Sequence, residues 1–136
     1  MRLEKDDFQK INNWEEVIEV RDTHYIEDML TFKEFIVIQS RYDGIPIIEV
    51  FNLANNSLSQ ITMKDEVYDL GLVYNNDFDS SFFRYSYSSL KTSPQILKYD
   101  LFDNSNNVIW KKQVNNFIDT DYEIKRIKTL ARDDTN

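Results

Sequence analysis

Between positions 82 and 101 the sequence reads FFRYSYSSLKTSPQILKYDL, and the spacing of its apolar residues limits the fold more than any other stretch. Phe83, Tyr85 and Tyr87 fall on one face of an extended chain, with Phe82, Arg84, Ser86 and Ser88 on the other. A period of two marks a half-buried strand. Residues 88–94 read as a connection, because Ser and Pro favour turn geometry and Pro has no N–H to give to a ladder. Beyond it, Leu97, Tyr99 and Leu101 share one face, with Ile96, Lys98 and Asp100 opposite. Two strands and a loop follow from this alone, and with them a sheet protein.

The remaining strands are read in the same way. Residues 14–20, WEEVIEV, form a short strand after a polar lead-in. Residues 25–32 are only weakly patterned, whereas 35–41 carry the β-branched run Ile36, Val37 and Ile38. Asp43-Gly44 is a hairpin turn, since that pair favours positive φ. Residues 45–53, with Pro46 near the start, make the next strand, and 58–63 a fourth. The pattern then restarts with 67–74, the 82–101 pair and a last strand over 108–114. Two sets of four strands result, aligned at an offset of roughly 48 residues, which pairs Pro46 with Pro94 and residues 51–53 with 99–101. This spacing fits four-stranded propeller blades, and a sandwich of eight strands is the structural alternative. Two blades alone cannot close a ring, because each buries its faces only against neighbours. Residues 115–121 are turn-like, and 122–131 read either as an amphipathic helix or as an extended strand.

The totals exclude several classes. A chain of 136 residues fits one domain, and 41% hydrophobic content suffices for a core. The net charge of -8 argues against nucleic acid and against an anionic membrane surface as partners. With no cysteine, disulfide frameworks and thiolate metal sites are impossible. No run of about 18 apolar residues exists to span a bilayer as a helix, and the start, MRLEKDDFQK, lacks the apolar core of a signal peptide. A cytoplasmic location is the expectation. With two Gly and two Pro in the chain, Asn and Asp must make many of the turns, at Asn55-Asn56, at Asn75 to Asp77 and over 104–107.

The stretch 83–101 also resembles the last propeller blade of the prolyl oligopeptidase family of serine peptidases, nearest to its oligopeptidase B (protease II) branch. Further stretches agree in order: Trp14 to Ile18, Phe32 to Val37, RYDGIPIIEV over 41–50, Asn76-Asp77-Phe78-Asp79, and Thr129-Leu130-Ala131-Arg132-Asp133. The last is similar to the segment where that family's chain leaves the propeller, with Asp134 where the family has Gly. The resemblance implies an all-β part of a seven-bladed propeller over 1–114: a lead-in and the end of one blade over 1–24, the penultimate blade over 25–66 and the last over 67–114. It implies that 115–136 lead into an α/β-hydrolase domain outside this sequence, in which the Ser, Asp and His would lie. The function so implied is a gate over the active site of a peptidase that cleaves short peptides after basic residues. The chain itself is predicted to be inactive, with short peptides or a separately encoded hydrolase domain as partners. A stand-alone β-sheet interaction module and one half of a split peptidase are the alternatives.

No residue is assigned to catalysis, to a cofactor or to a metal. No Gly-x-Ser-x-Gly elbow occurs. His24, the single histidine, falls in a polar connection. The carboxylate pairs Asp6-Asp7, Glu15-Glu16 and Asp133-Asp134 read as solvated surface, since neighbours on a strand point to opposite faces. Asn75-x-Asp77-x-Asp79 has the rhythm of a calcium loop, but Ser80 and Ser86 stand where the loop needs its Gly and its bidentate Glu. Asn55-Asn56-Ser57 spells a glycosylation sequon and reads as a turn. Arg84, among Tyr85 and Tyr87, is either a contact for peptide in the channel or an ordinary strand residue with a salt bridge.

Overall fold

The computed structural model describes residues 12, 14–19, 21–129 and 132. Eight strands form two separate four-stranded antiparallel meanders. The first holds β1 (His24–Thr31), β2 (Phe35–Tyr42), β3 (Ile45–Asn52) and β4 (Ser57–Gln60). The second holds β5 (Asp69–Val73), β6 (Phe82–Ser88), β7 (Gln95–Asp100) and β8 (Asn106–Lys111). A 3₁₀ turn, Asp119–Asp121, follows, and no α-helix occurs among the described residues.

The turns follow the local chemistry. Asp43 and Gly44 both have positive φ, at 48° and 78°, as a two-residue hairpin requires. Asn56 and Asn104 also take positive φ, at 54° and 53°, because a short polar side chain tolerates this region better than most. Asn55 Oδ1 accepts from Ser57 N at 3.0 Å, so the sequon is a side-chain-stabilised turn. Asp77 Oδ1 accepts likewise from Asp79 N at 3.0 Å, so the calcium-like rhythm belongs to a turn before β6.

The core lies between the sheets. Val37, Ile48 and Val50 of the first face Phe83, Tyr85, Tyr87, Leu97 and Tyr99 of the second, with Phe32, Phe35 and Leu70 closing it. The repeat noticed in the sequence carries over to the faces. Ile48 looks forward onto the second sheet, and Ile96, one repeat later, lies on the second sheet's opposite, outward face with Arg84 and Lys98. The backward face of the first sheet is buried too: Ile38, Ile47, Glu49 and Phe51 are nearly inaccessible, and Arg21 reaches onto it.

The two sheets meet where β5, the first strand of the second, lies against β3 and, to a lesser extent, β1 of the first. The opposite borders, β4 and β8, are exposed along their whole length. Neighbouring propeller blades meet in this way, and an eight-stranded sandwich is not what forms.

Two sequence readings change. Residues 14–19 contain an isolated bridge at Glu15 and no strand. Residues 122–129 form neither helix nor strand. Their apolar residues do not find a core, and Ile127 is 85% exposed. The lead-in 1–11, Asp6-Asp7, most of the 129–133 exit motif and Asp133-Asp134 lie outside the described residues.

Candidate functional site

Antiparallel order sends the hairpin 43–44, the crossover 61–68, the connection 89–94 and the tail after β8 to one end of the blade pair. The buried carboxylate Asp65 and the ion pairs of the tail gather there, on the connections between strands.

Asp65, in the crossover, is the buried node. Its side chain is 2% exposed. Its Oδ2 accepts from Tyr87 Oη at 2.8 Å, Ser89 Oγ at 2.7 Å and Thr92 Oγ1 at 3.0 Å, while Lys91 Nζ stands 3.9 Å from Oδ1. Burial opposes ionisation of Asp65, but the bonds from Ser89, Tyr87 and Thr92 and the charge of Lys91 outweigh it and hold the carboxyl below its ordinary value. The same pair acts the other way on Tyr87: burial first, then the bond to Asp65, pushes its phenol strongly up. The hydroxyl-rich stretch 86–92 therefore locks the connection between β6 and β7 to the crossover.

Along the inner edge runs a polar seam. Gln39 of β2 accepts from the backbone N–H of Leu72 in β5 at 2.9 Å and donates to Glu27 of β1 at 3.0 Å. Arg41 Nε donates to Glu27 at 2.8 Å. These bonds, Arg41's first and then Gln39's, hold the Glu27 carboxyl low. Gly71 sits beside this seam, where an added Cβ would lie 3.4 Å from Ser86 Oγ.

The tail forms a clasp. After β8 it returns across both sheets. Lys128 Nζ lies 2.6 Å and Arg126 Nη1 3.0 Å from Asp43 Oδ2, and Arg126 N donates to Glu66 at 3.3 Å. The chain thus leaves the second sheet tethered to the hairpin of the first.

The sequence candidates do not converge. His24 stacks on Tyr42 with centroids 4.6 Å apart, and its Nδ1 lies 3.2 Å from Thr23 Oγ1. Glu15 and Glu16 are exposed. Arg84 lies on the outward face of the second sheet, 5.6 Å over the Phe82 ring, with Lys98 Nζ 4.1 Å from the same ring. A ring and not a carboxylate is the partner seen for Arg84. Sequence reasoning missed the Asp65 node and the clasp, because both join residues far apart in the chain. The only signal was the density of hydroxyls over 86–92.

Two four-stranded antiparallel sheets, packed on one another and offset by roughly 48 residues, define a pair of β-propeller blades. Residues 1–113 match the family described as "Prolyl oligopeptidase, N-terminal beta-propeller domain", and the chain belongs to that family. Among solved structures it is similar to oligopeptidase B from Trypanosoma brucei with covalently bound antipain, in a closed form (TM-score 0.78, 24% identity, 88% of this chain and 18% of that one). Oligopeptidase B from Leishmania major is similar as well (TM-score 0.77, 20% identity, 88% and 18%). So is a structure from a study of two prolyl endopeptidases and their inter-domain dynamics (TM-score 0.74, 15% identity, 92% and 18%). The chain therefore spans about a fifth of the length of these relatives, 18% in each case. No curated protein matches it.

Proposed function

We propose that this chain is the substrate-gating part of a serine oligopeptidase of the oligopeptidase B type, which hydrolyses short peptides after basic residues. The observation that carries the reading is the clasp at one end of a family propeller: Asp43 holds Arg126 and Lys128 at the end of the blades from which the chain departs. A tail fixed to the blades gives an attached hydrolase a defined place from which to be covered. The blades supply the cover and the chemistry resides elsewhere, in keeping with a single histidine that rests on Tyr42. A cytoplasmic location fits this role.

The purified chain is expected to leave a chromogenic dibasic peptide uncut. Adding a separately produced hydrolase domain of the same family should give cleavage that depends on both parts. Turnover by the chain alone, surviving removal of contaminating proteases, would overturn the reading.

A second reading, a free-standing β-sheet interaction module, is favoured by one observation: β8 presents Val108, Ile109 and Trp110, each 53% exposed. It requires a monodisperse, cooperatively folding product, which size-exclusion chromatography and thermal melting distinguish from a loose part of a ring.

A further inference from the structure

A cavity of about 430 Å³ opens at the end of the blade pair opposite the clasp, between β4 and the hairpin that joins β7 to β8. Its floor is apolar and buried, made by Phe35 and Val50 from the first sheet and Tyr99 and Leu101 from the second. Phe102 stands in its wall, 58% exposed, and its ring is held edge-on to Phe35 with centroids 5.1 Å apart.

The rest of the wall is polar without being charged. Asn52 and Asn55 come from the end of β3 and the turn after it, Ser57 and Gln60 from β4, and Asn104 from the turn after β7. None of the lining residues is Asp, Glu, Lys, Arg or His, although Asp, Glu, Lys and Arg make up 29% of the chain. The fold also decides which end of each asparagine is free. Asn52 Oδ1 accepts from Ala54 N at 2.8 Å, Asn55 Oδ1 from Ser57 N at 3.0 Å, and Asn104 Oδ1 from Tyr99 Oη at 3.0 Å. A backbone N–H can only donate, so the oxygens of Asn52 and Asn55 are committed to the turn and their NH2 groups remain as donors.

We propose that this cavity binds a neutral saccharide of disaccharide size. A charged ligand would give up its water for a recess that offers no counter-charge. A wholly apolar one would cover the amides without replacing their hydrogen bonds. A sugar meets both conditions: its hydroxyl oxygens accept from the asparagine NH2 groups, and the C–H face of its ring lies on Phe102. The volume falls within the range of about 300–1,000 Å³ typical of small-molecule pockets. The site is independent of the peptidase reading, since it uses neither the clasp nor an attached hydrolase.

The test is a titration of the isotope-labelled 136-residue chain with maltose, cellobiose and lactose in turn, followed by amide chemical shifts into the millimolar range. At least one is expected to shift residues 52–60 and 99–104 as a group, saturably. Phe102→Ala should weaken that binding about fivefold, the effect of one lost ring contact. Asn55→Ser, which keeps an oxygen for the turn and withdraws the NH2 group, should weaken it about threefold. Tyr25→Ala removes an exposed ring on β1 and should leave it unchanged. Adenosine in a parallel arm separates the ligand classes: tighter binding of this planar ligand overturns the saccharide assignment. No saturable shift with any of the three sugars, shifts scattered over the surface, or equal weakening by Tyr25→Ala overturns the site. So does an undispersed spectrum, because the cavity exists only when the two sheets pack.

Discussion

Replacing Asp65 removes the acceptor of three hydroxyls at once, two of them on the connection between β6 and β7. Asp65→Ala leaves those donors in a site water reaches poorly and is expected to cost about 3 kcal/mol in urea unfolding, the scale of lost hydrogen bonds to a buried charge. Asp65→Asn keeps an acceptor and should cost less. The pH dependence has a definite sign. The folded carboxyl titrates below its unfolded value, so its contribution is fully present above about pH 4 and is lost as the pH falls through the folded value. The gap in stability between the wild type and Asp65→Asn should therefore shrink below about pH 4, as read from acid-limb unfolding curves. Glu49 poses the complementary case. It is 4% exposed and receives Arg21 through two bonds of 3.0 and 2.7 Å. Arg21→Ala strands that charge with Ser40 alone at 3.3 Å and should destabilise by about 2 kcal/mol, less than for a fully buried pair because Arg21 is partly solvated. Replacing both residues by Met should recover most of the loss in the same measurement.

At the scale of elements, the seam between blades rests on a side chain bonding to a strand. Gln39→Leu removes the acceptor for Leu72 N and the donor to Glu27. The amide of Leu72 should then exchange with solvent about tenfold faster, equivalent to one hydrogen bond of ordinary net strength, while amides of β6 and β7 stay protected. How legible each element was follows from its surroundings. The strands β6 and β7 were plain in the sequence, because one face of each is buried and the other is not, and alternation records that difference. Residues 25–32 looked weak although an eight-residue strand, β1, forms there. As an edge strand it exposes most of its side chains, and a register shift between Ile26 and Asp28 resets the alternation halfway. Residues 14–20 read as a short strand, but 14–19 make only a bridge at Glu15, because no neighbouring strand among the described residues extends a ladder with them. The tail misled for the opposite reason: Lys128 and Arg126 hold it by charge to Asp43, and charge pairing leaves no periodic mark. The Asp65 node was invisible because its partners lie 22 to 27 residues away.

For the whole molecule, the clasp and the outward face of the second sheet govern behaviour in solution. The Lys128 hydrogen bond, followed by the charges of Arg126 and Lys128, holds Asp43 below its ordinary value. The tether is complete at neutral pH and weakens as acid protonates Asp43. Asp43→Asn should therefore speed tryptic cleavage after Lys125, Arg126 and Lys128, with little change in the unfolding midpoint, and added salt should mimic it in the wild type. Trp110, opposite Ile96 on the outward face, is 53% exposed. The face it belongs to is the repeat equivalent of the one on which the first sheet seats the second. The isolated chain is accordingly expected to self-associate, and Trp110→Glu should reduce that association in light scattering. The way the blades join has one more consequence. A layer thick at one border and thin at the other cannot be extended in a straight line, so each further copy must turn through the same angle about a common axis. Closure would then be inherited from the angle between a single pair, with β1 and β5, the first strand of each sheet, expected to face the axis.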